Sequence, residues 1–229
     1  RALVELNGRR VDARVVVTGA VGPNRKADQL GRALQHERDL DRVEVILVAD
    51  SDVHLTDDDI DAVLAPVRGG AAASWAPPVE RAPAAAGDRA SAAILGGSLH
   101  AFPVLAALDP GSMVGKLFAI RRDALEHVGG FGPLKDYLGE DMELARRIAE
   151  AGLTVAATAR TVESHARGRS LADVTARYVR WLAVIRAQRP ALMISYPLLF
   201  ASTPLQLGAS ALVGLEEPDL PEHRHVRRA

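Results

Sequence analysis

The chain has 229 residues, of which 48% are hydrophobic and 25% charged, and its 28 basic and 29 acidic residues leave a net charge of −1. These fractions are typical of a folded protein with a real core and exclude wholesale disorder, and the near-zero charge argues against a nucleic-acid partner. The absence of cysteine from the sequence excludes disulfides, thiol catalysis and cysteine-ligated metal sites.

Hydrophobic periodicity predicts strands that alternate with helices along most of the chain. The predicted strands are residues 14–18, 43–48, 72–75, 116–120 and 153–159. The predicted helices are residues 24–38, 57–67, 122–128, 141–151 and 171–186. The stretch after residue 75 is rich in Ala, Pro and Gly, which indicates a long loop. The alternation predicts an α/β sandwich with a largely parallel central sheet.

A long uncharged run lies near the C-terminus, at residues 190–215. Its 26 positions would allow a helix to cross the roughly 30 Å hydrocarbon core of a bilayer. Two prolines and a glutamine interrupt the run, so three interpretations stay open: a true span, an interfacial or re-entrant segment, and a buried core helix with a loop. Arginines just before the run predict that this side faces the cytoplasm.

Two aspartates one residue apart, Asp50 and Asp52, directly follow the strongest predicted strand. Open α/β sheets bind ligands at the carboxyl ends of their strands, and two carboxylates there could hold Mg²⁺ or Mn²⁺, which prefer oxygen ligands. The alternative interpretation is an acidic turn in which Asp52 caps the next helix.

A further acidic motif, Gly139-Glu140-Asp141, opens a predicted helix. The unpaired N–H groups and the dipole at a helix N-terminus stabilise carboxylates as anions. An ionised Asp141 could therefore act as a general base toward a hydroxyl group. The alternative interpretation is an ordinary helix cap.

Helical spacing places Arg177, Arg180 and Trp181 on one face of a predicted helix. Guanidinium groups suit bidentate binding of phosphate, and an indole beside them can stack on a ring or lie at a membrane interface. The alternative interpretation is a solvated basic face.

The order and spacing of these motifs resemble the ceramide glucosyltransferase-like family, which includes bacterial enzymes that glycosylate hopanoids and other lipids. That family is marked by three separated aspartates followed by a (Q/R)xxRW motif. Residues 24–30 and 120–131 resemble two further segments of the family, and the resemblance covers roughly residues 11–190. The residues that match the family's main motifs are Asp12, Asp50, Asp141, Arg177, Arg180 and Trp181.

The resemblance implies a membrane-associated, inverting glycosyltransferase with the GT-A fold. Residues 1–189 would form the catalytic core, 190–215 a membrane-associated segment and 216–229 a polar tail. The expected partners are a UDP-sugar donor, a lipid acceptor and a membrane. The expected location is the bacterial inner membrane, with the catalytic domain in the cytoplasm.

The resemblance also implies roles for individual residues. Asp50, helped by Asp52, would hold Mg²⁺ or Mn²⁺ on the diphosphate of the UDP-sugar. Asp141 would take the proton from the lipid hydroxyl as its oxygen attacks the sugar. The residues expected to contact the diphosphate or the nucleotide are Asp12, Lys26, Arg177, Arg180 and Trp181.

The chain also departs from the family. Gly115-Lys116 puts a cation where many relatives have a small or apolar residue, and His165 lies where some GT-A enzymes place a metal ligand. Relatives begin with a membrane helix, a first strand and a uridine-binding loop, so the resemblance implies an N-terminally truncated chain with an incomplete fold. Two other interpretations stay open: a catalytically impaired fragment or binding remnant, and a nucleotidyltransferase.

Overall fold

The computed structural model describes residues 2–6, 9–37, 39–194 and 208–210. Within these residues the strands are β1 Ala2–Leu6, β2 Arg9–Ala13, β3 Val45–Ala49, β4 Val53–His54, β5 Ala73–Trp75, β6 Pro78–Glu80, β7 Leu117–Arg121, β8 Val155–Ala157 and β9 Val162–Ser164. The helices are α1 Arg25–Gln35, α2 Asp57–Arg68, α3 Ala86–Gly97, α4 Ala101–Leu108, α5 Arg122–His127, α6 Glu140–Glu150 and α7 Leu171–Gln188.

The described strands form two mixed sheets and a separate β1–β2 hairpin. The larger sheet has the order β3-β7-β5-β8, and the smaller one has the order β4-β9-β6. In the larger sheet β7 runs antiparallel to both neighbours, so β3, β5 and β8 all point the same way. The α/β class is as predicted. The prediction of a largely parallel sheet holds only for the direction of these three strands, because β7 is inserted between two of them.

The core lies on both faces of the larger sheet, and β7 shows the alternation that builds it. Phe118 and Ile120 pack on one face against α1, α4, α5 and α6, whereas Leu117 and Ala119 pack on the other face against α2. All four side chains are at most 3% exposed. A strand buried on both faces holds its register firmly, because a slip of one residue would exchange the two sets of side chains. This register fixes the position of Gly115 and Lys116, which directly precede β7.

The predicted strand at residues 14–18 is wrong. This segment has no regular structure, and Val15 and Val17 are 95% and 90% exposed. The β-branched run has a high strand propensity, but a strand also requires a neighbouring edge for pairing, and none of the described strands pairs with this segment.

The predicted loop after residue 75 is also wrong, because it contains β6 and α3. The first turn of α3 is fixed by Asp88, whose carboxylate accepts hydrogen bonds from the backbone N–H groups of Ala85 and Gly168, at 2.9 and 2.8 Å. Gly87 lies so close to the start of α7 that a Cβ atom would be 2.2 Å from the carbonyl oxygen of Ser170. Tertiary contacts of this kind decide the structure of an Ala- and Gly-rich segment, and periodicity does not report them.

No single helix in the described part of the chain is long and apolar enough to cross a membrane. Helices α3 and α4, which meet at a bend of 52°, reach that length and hydropathy only when taken together. The predicted membrane-associated segment 190–215 lies mostly outside the described residues, and the predicted tail 216–229 lies wholly outside them.

Candidate active site

The end of the larger sheet brings Asp50 next to Lys116. Ala49 is the partner of Leu117 in the β3–β7 ladder, and the N–H of Asp50 donates to the carbonyl oxygen of Lys116 at 2.9 Å. The ammonium group of Lys116 then reaches both carboxylates of the motif. Its Nζ lies 2.6 Å from each carboxylate oxygen of Asp52 and 3.5 Å from Oδ2 of Asp50.

Asp52 is held on its other side by the smaller sheet. Ser164 Oγ donates to Asp52 Oδ2 at 2.9 Å, and the N–H of His165 donates to the Asp52 carbonyl oxygen at 2.7 Å. Burial alone would raise the pKa of Asp52, but the hydrogen bonds and the charge of Lys116 outweigh it and lower that pKa. The helix-cap interpretation of Asp52 is wrong, because Thr56 caps α2.

Lys26 is a second cation in the same cluster. Asn24 caps α1 and also donates from Nδ2 to Glu140 Oε2 at 2.7 Å, which docks the first turn of α1 against the start of α6. Lys26 Nζ consequently lies 2.6 Å from Asp50 Oδ1, 2.7 Å from the carbonyl oxygen of Gly115 and 3.5 Å from Glu140 Oε1. Burial alone would lower the pKa of Lys26, but the hydrogen bond and charge of Asp50 outweigh it and raise that pKa.

Asp141 lies in the first turn of α6 and turns its carboxylate toward Gly115. Asp141 Oδ2 accepts a hydrogen bond from the N–H of Gly115 at 2.9 Å, and Oδ1 accepts from the N–H of Met142 at 2.8 Å. Gly139 occupies the cap position, so the ordinary-cap interpretation of Asp141 is wrong. Burial and the neighbouring charge of Glu140 raise the pKa of Asp141 to about 6. This carboxylate can therefore exchange a proton near neutral pH.

Gly115 connects the carboxylate of Asp141 with the ammonium group of Lys26. Its N–H binds Asp141 and its carbonyl oxygen binds Lys26. A Cβ atom at this position would lie 3.2 Å from Asp141 Oδ2 and 3.3 Å from Lys26 Nζ, closer than ordinary van der Waals contact. The sequence singled out Gly115 only as a departure from the family, and its signal was a glycine directly before a lysine at the start of a strand.

The RxxRW motif has a half-buried arginine, Arg177, and an exposed one, Arg180, on α7. Arg177 Nη2 donates to Glu80 Oε1 at 3.0 Å and to Ser91 Oγ, and its guanidinium lies 5.0 Å from the centre of the Trp181 ring. Arg180 is exposed, and Trp181 is 39% exposed. The basic-face interpretation therefore fits Arg180 and does not fit Arg177. In the described part of the chain, no hydrogen bond or ion pair joins this motif to the aspartates.

Comparison with protein families gives a match to glycosyl transferase family 21 over residues 7–218. The chain belongs to glycosyl transferase family 21. This is the ceramide glucosyltransferase-like family indicated by the motifs, and membership identifies the chain as a glycosyltransferase rather than a nucleotidyltransferase. Comparison with individually curated proteins gives no match.

The C-terminal end of α7 in this family 21 chain is hydrogen-bonded to the turn that precedes Asp141. The side chain of Gln188 and the backbone of Gly139 exchange two hydrogen bonds, at 3.0 and 3.2 Å. Arg189 binds both carboxylate oxygens of Asp109, at 2.8 and 2.9 Å, and the carbonyl oxygen of Gly111, at 3.1 Å. These contacts hold the turns before Asp141 and before Gly115.

Asp12, the first family aspartate, lies on β2 opposite Leu3 of β1. Its side chain falls outside the described part of the family 21 chain, so its predicted place near the nucleotide stays a prediction.

The donor set around Asp50 and Asp52 does not fit a resident divalent cation. Each of these carboxylates is bonded to an ammonium group of Lys26 or Lys116. Among the residues that the structure describes, no group of three His, Asp or Glu side chains could hold a metal ion. The ring of His165 stacks on that of His54 with 5.4 Å between the centres. The sequence-based expectation of Mg²⁺ or Mn²⁺ stays a prediction.

A small, mostly apolar cavity of about 60 Å³ is lined in part by residues next in the chain to Gly115 and Asp141. Val114 and Met142, which line it, are chain neighbours of Gly115 and Asp141. Two buried polar atoms belong to other lining residues, Trp75 Nε1 and Ser112 Oγ, and neither has a hydrogen-bond partner among the described residues. The remaining lining residues are Ala101, Phe102, Leu105, Asp109, Gly111, Met113 and Leu192.

Replacement of Gly115 by Ala is expected to slow sugar transfer by about tenfold or more, because small displacements of reacting groups carry large penalties. The new methyl group would push Asp141 and Lys26 apart by a few tenths of an ångström. Gly96→Ala is the matched control, since a Cβ atom there meets nothing within 4 Å. The measurement is the initial transfer rate of both variants at equal folded concentration. Equal rates for the two variants would contradict the role of Gly115.

Proposed function

We propose that the chain moves a sugar from a UDP-sugar to the hydroxyl group of a membrane lipid, such as ceramide or a hopanoid, with inversion at the anomeric carbon. The observation that carries the proposal is the position of Asp141. A half-buried carboxylate with a pKa raised to about 6 is joined through Gly115 to Lys26. Family membership supplies the reaction class, and a carboxylate beside positive charge supports the assignment of a base.

Asp141 is the proposed general base. Above its pKa it is ionised and can accept the proton of a lipid hydroxyl as the lipid oxygen bonds to the sugar C1. The attack comes from the face opposite the departing UDP, so a single displacement inverts the anomeric centre. The hydrogen bonds from Gly115 and Met142 fix the orientation of the carboxylate. The carboxylate therefore loses little conformational freedom when the acceptor binds, which lowers the entropic part of the barrier.

Positive charge is needed on the other side of the reacting carbon. When the bond between C1 and the diphosphate oxygen breaks, its electron pair stays on that oxygen, and UDP leaves as an anion. Lys26 and Lys116 are partly buried, with 32% and 23% of their side chains exposed, so their charges are less screened than surface charges. Arg180 and Trp181, which are exposed on α7, are further proposed contacts of the donor.

The lipid acceptor is supported by the apolar cavity that Val114 and Met142, the chain neighbours of Gly115 and Asp141, help to line. The cavity is lined mostly by apolar side chains, and on α4, which borders it, Val104 and Leu108 are 42% and 75% exposed. The aliphatic part of a lipid would be favoured on such a surface. We also propose a location at the bacterial inner membrane with the catalytic core on the cytoplasmic side, as the family resemblance and the arginines just before residue 190 imply.

The test is a transfer assay with the purified chain, labelled UDP-glucose or UDP-N-acetylglucosamine, and ceramide, hopanoid and bulk lipid extract as separate acceptors in detergent. The expected product is a glycolipid, identified by mass spectrometry, whose anomeric linkage is opposite to that of the donor. Hydrolysis of the donor with every lipid left unmodified would contradict the lipid acceptor. Binding of UDP without any turnover would support the alternative of a binding remnant.

A further inference from the structure

The clearest unexplained feature of the site is a lysine placed between two carboxylates. Lys116 Nζ lies within 2.6 Å of both oxygens of Asp52 and 3.5 Å from Oδ2 of Asp50. The other oxygen of Asp50 lies 2.6 Å from Lys26 Nζ. All four oxygens of Asp50 and Asp52 therefore face ammonium groups, and Lys26 also lies 3.5 Å from Glu140 Oε1.

The composition makes this convergence notable. The chain has only three lysines among its 28 basic residues, and two of the three meet at Asp50 and Asp52. An ammonium group is a compact point charge with no fixed plane, so it resembles a metal cation more closely than a guanidinium does. A divalent cation bound between these carboxylates would need several free oxygen ligands and would lie against two like charges.

We propose that Lys116, together with Lys26, takes the place of a divalent cation at this site. Lys116 neutralises Asp50 and Asp52 in the free protein and turns to the leaving diphosphate when the donor is bound. The catalytic part of this inference rests on the proposed function. In that step the C1–oxygen bond of the donor breaks, the electron pair remains on the diphosphate, the ammonium groups stabilise that charge, and the acceptor proton goes to Asp141.

The first test needs no substrate, because it measures Mn²⁺ binding to the free protein by electron paramagnetic resonance. The wild-type chain is expected to bind no Mn²⁺ at Asp50 and Asp52. Lys116→Met removes the ammonium group and leaves two carboxylates facing each other, so Mn²⁺ is expected to bind there at least about tenfold more tightly. The matched control is Lys135→Met, which changes the net charge equally on an exposed residue.

The proposal would be overturned if the wild-type chain bound one Mn²⁺ and Asp52→Asn abolished that binding. This comparison does not require the Lys116 variant to fold. Equal Mn²⁺ affinity of the Lys116 and Lys135 variants, both folded by circular dichroism, would also overturn the proposal.

The second test measures transfer after removal of metal ions with a chelator. Wild-type transfer is expected to survive chelation. Lys116→Met is expected to lose about 100-fold in rate, and Lys116→Arg is expected to recover part of that loss because it restores the charge. Loss of wild-type transfer on chelation, restored by Mn²⁺, would overturn the proposal. If the wild type transfers sugar under no condition, the proposed function fails, and the Mn²⁺ measurement still decides the role of Lys116.

Discussion

Replacement of Asp141 by Asn is expected to reduce sugar transfer by about 10²- to 10⁴-fold, the range that general bases contribute. The amide has nearly the same shape as the carboxylate but cannot accept a proton from the acceptor hydroxyl. UDP binding is expected to change little, because in the proposed function the donor contacts the lysines and not Asp141. The measurements are the transfer rate and the affinity for UDP by calorimetry. Unchanged lipid glycosylation in this variant would refute the assignment of the base.

The pH dependence of transfer follows from the same carboxylate. Because burial and Glu140 raise the pKa of Asp141 to about 6, the base is protonated and inactive below that pH. The transfer rate is therefore expected to rise with pH through about 6 and then to level off. Glu140→Gln removes the neighbouring negative charge, so the midpoint is expected to move to lower pH while the plateau is retained. A midpoint that does not move would contradict this electrostatic account.

The raised pKa of Asp141 also makes the stability of the fold depend on pH. A carboxyl group whose pKa is raised by folding stabilises the native state while it is protonated, and this contribution is lost as the pH rises through the folded pKa. Asp141→Asn removes the ionisation, so the unfolding temperature of the variant is expected to lack the decrease that Asp141 causes as the pH rises through about 6. Thermal unfolding, followed by circular dichroism, is thus the control that shows whether the variant loses transfer through loss of the base or through unfolding.

Replacement of Arg169 by Met is expected to destabilise the fold by about 3–5 kcal/mol, the usual result of removing one partner of a buried ion pair. Arg169 binds both carboxylate oxygens of Glu80, at 2.8 and 2.7 Å, and Glu80 has only 4% of its side chain exposed. The same guanidinium reaches Asp88 at 2.8 Å. The variant would leave Glu80 with only Arg177 as a cationic partner.

Chemical denaturation at neutral pH measures this effect, and Arg167→Met is the matched control, since it removes the same charge from an exposed residue. The pKa of Glu80 is lowered, because its hydrogen bonds and ion pairs outweigh the effect of burial. Its contribution to stability is therefore present above the ordinary glutamate pKa and is lost as the pH falls. The stability of the Arg169→Met variant is therefore expected to fall less at acidic pH than that of the wild type. A similar loss of stability in both variants would show that the buried pairing is not its source.

The sequence predicted the elements whose signals are local. The half-buried strand β3 and the helices α2, α6 and α7 lie close to their predicted positions, because the hydrophobic periodicity of each element and the acidic first turn of each helix are local signals. For the same reason the motifs located Asp50, Asp52 and Asp141 at the ends of a strand and a helix. Periodicity could not predict β6, α3 or the smaller sheet, whose strands have only two or three residues.

The features of the site that the sequence did not predict have a different cause. Lys116 was noticed only as an unusual cation, because its pairing with Asp50 and Asp52 depends on the antiparallel insertion of β7, which no local pattern reports. Arg177 was assigned to the donor from its motif alone. Its partner Glu80 is 97 residues away in the chain, within a segment that the sequence indicated to be a loop. Long-range pairings of this kind decide which charges of a motif are free.

The pairing of Gln188 with Gly139 has a consequence for local opening of the molecule. The last turn of α7 cannot fray without releasing the backbone of the turn that leads into Asp141. A Cβ atom at Gly139 would lie 2.7 Å from Val184, so the two segments are also in close steric contact. The end of α7 and this turn should therefore open as one cooperative unit and exchange their amide hydrogens together. The mobility of the candidate base is in this way set by the stability of a helix end far along the chain.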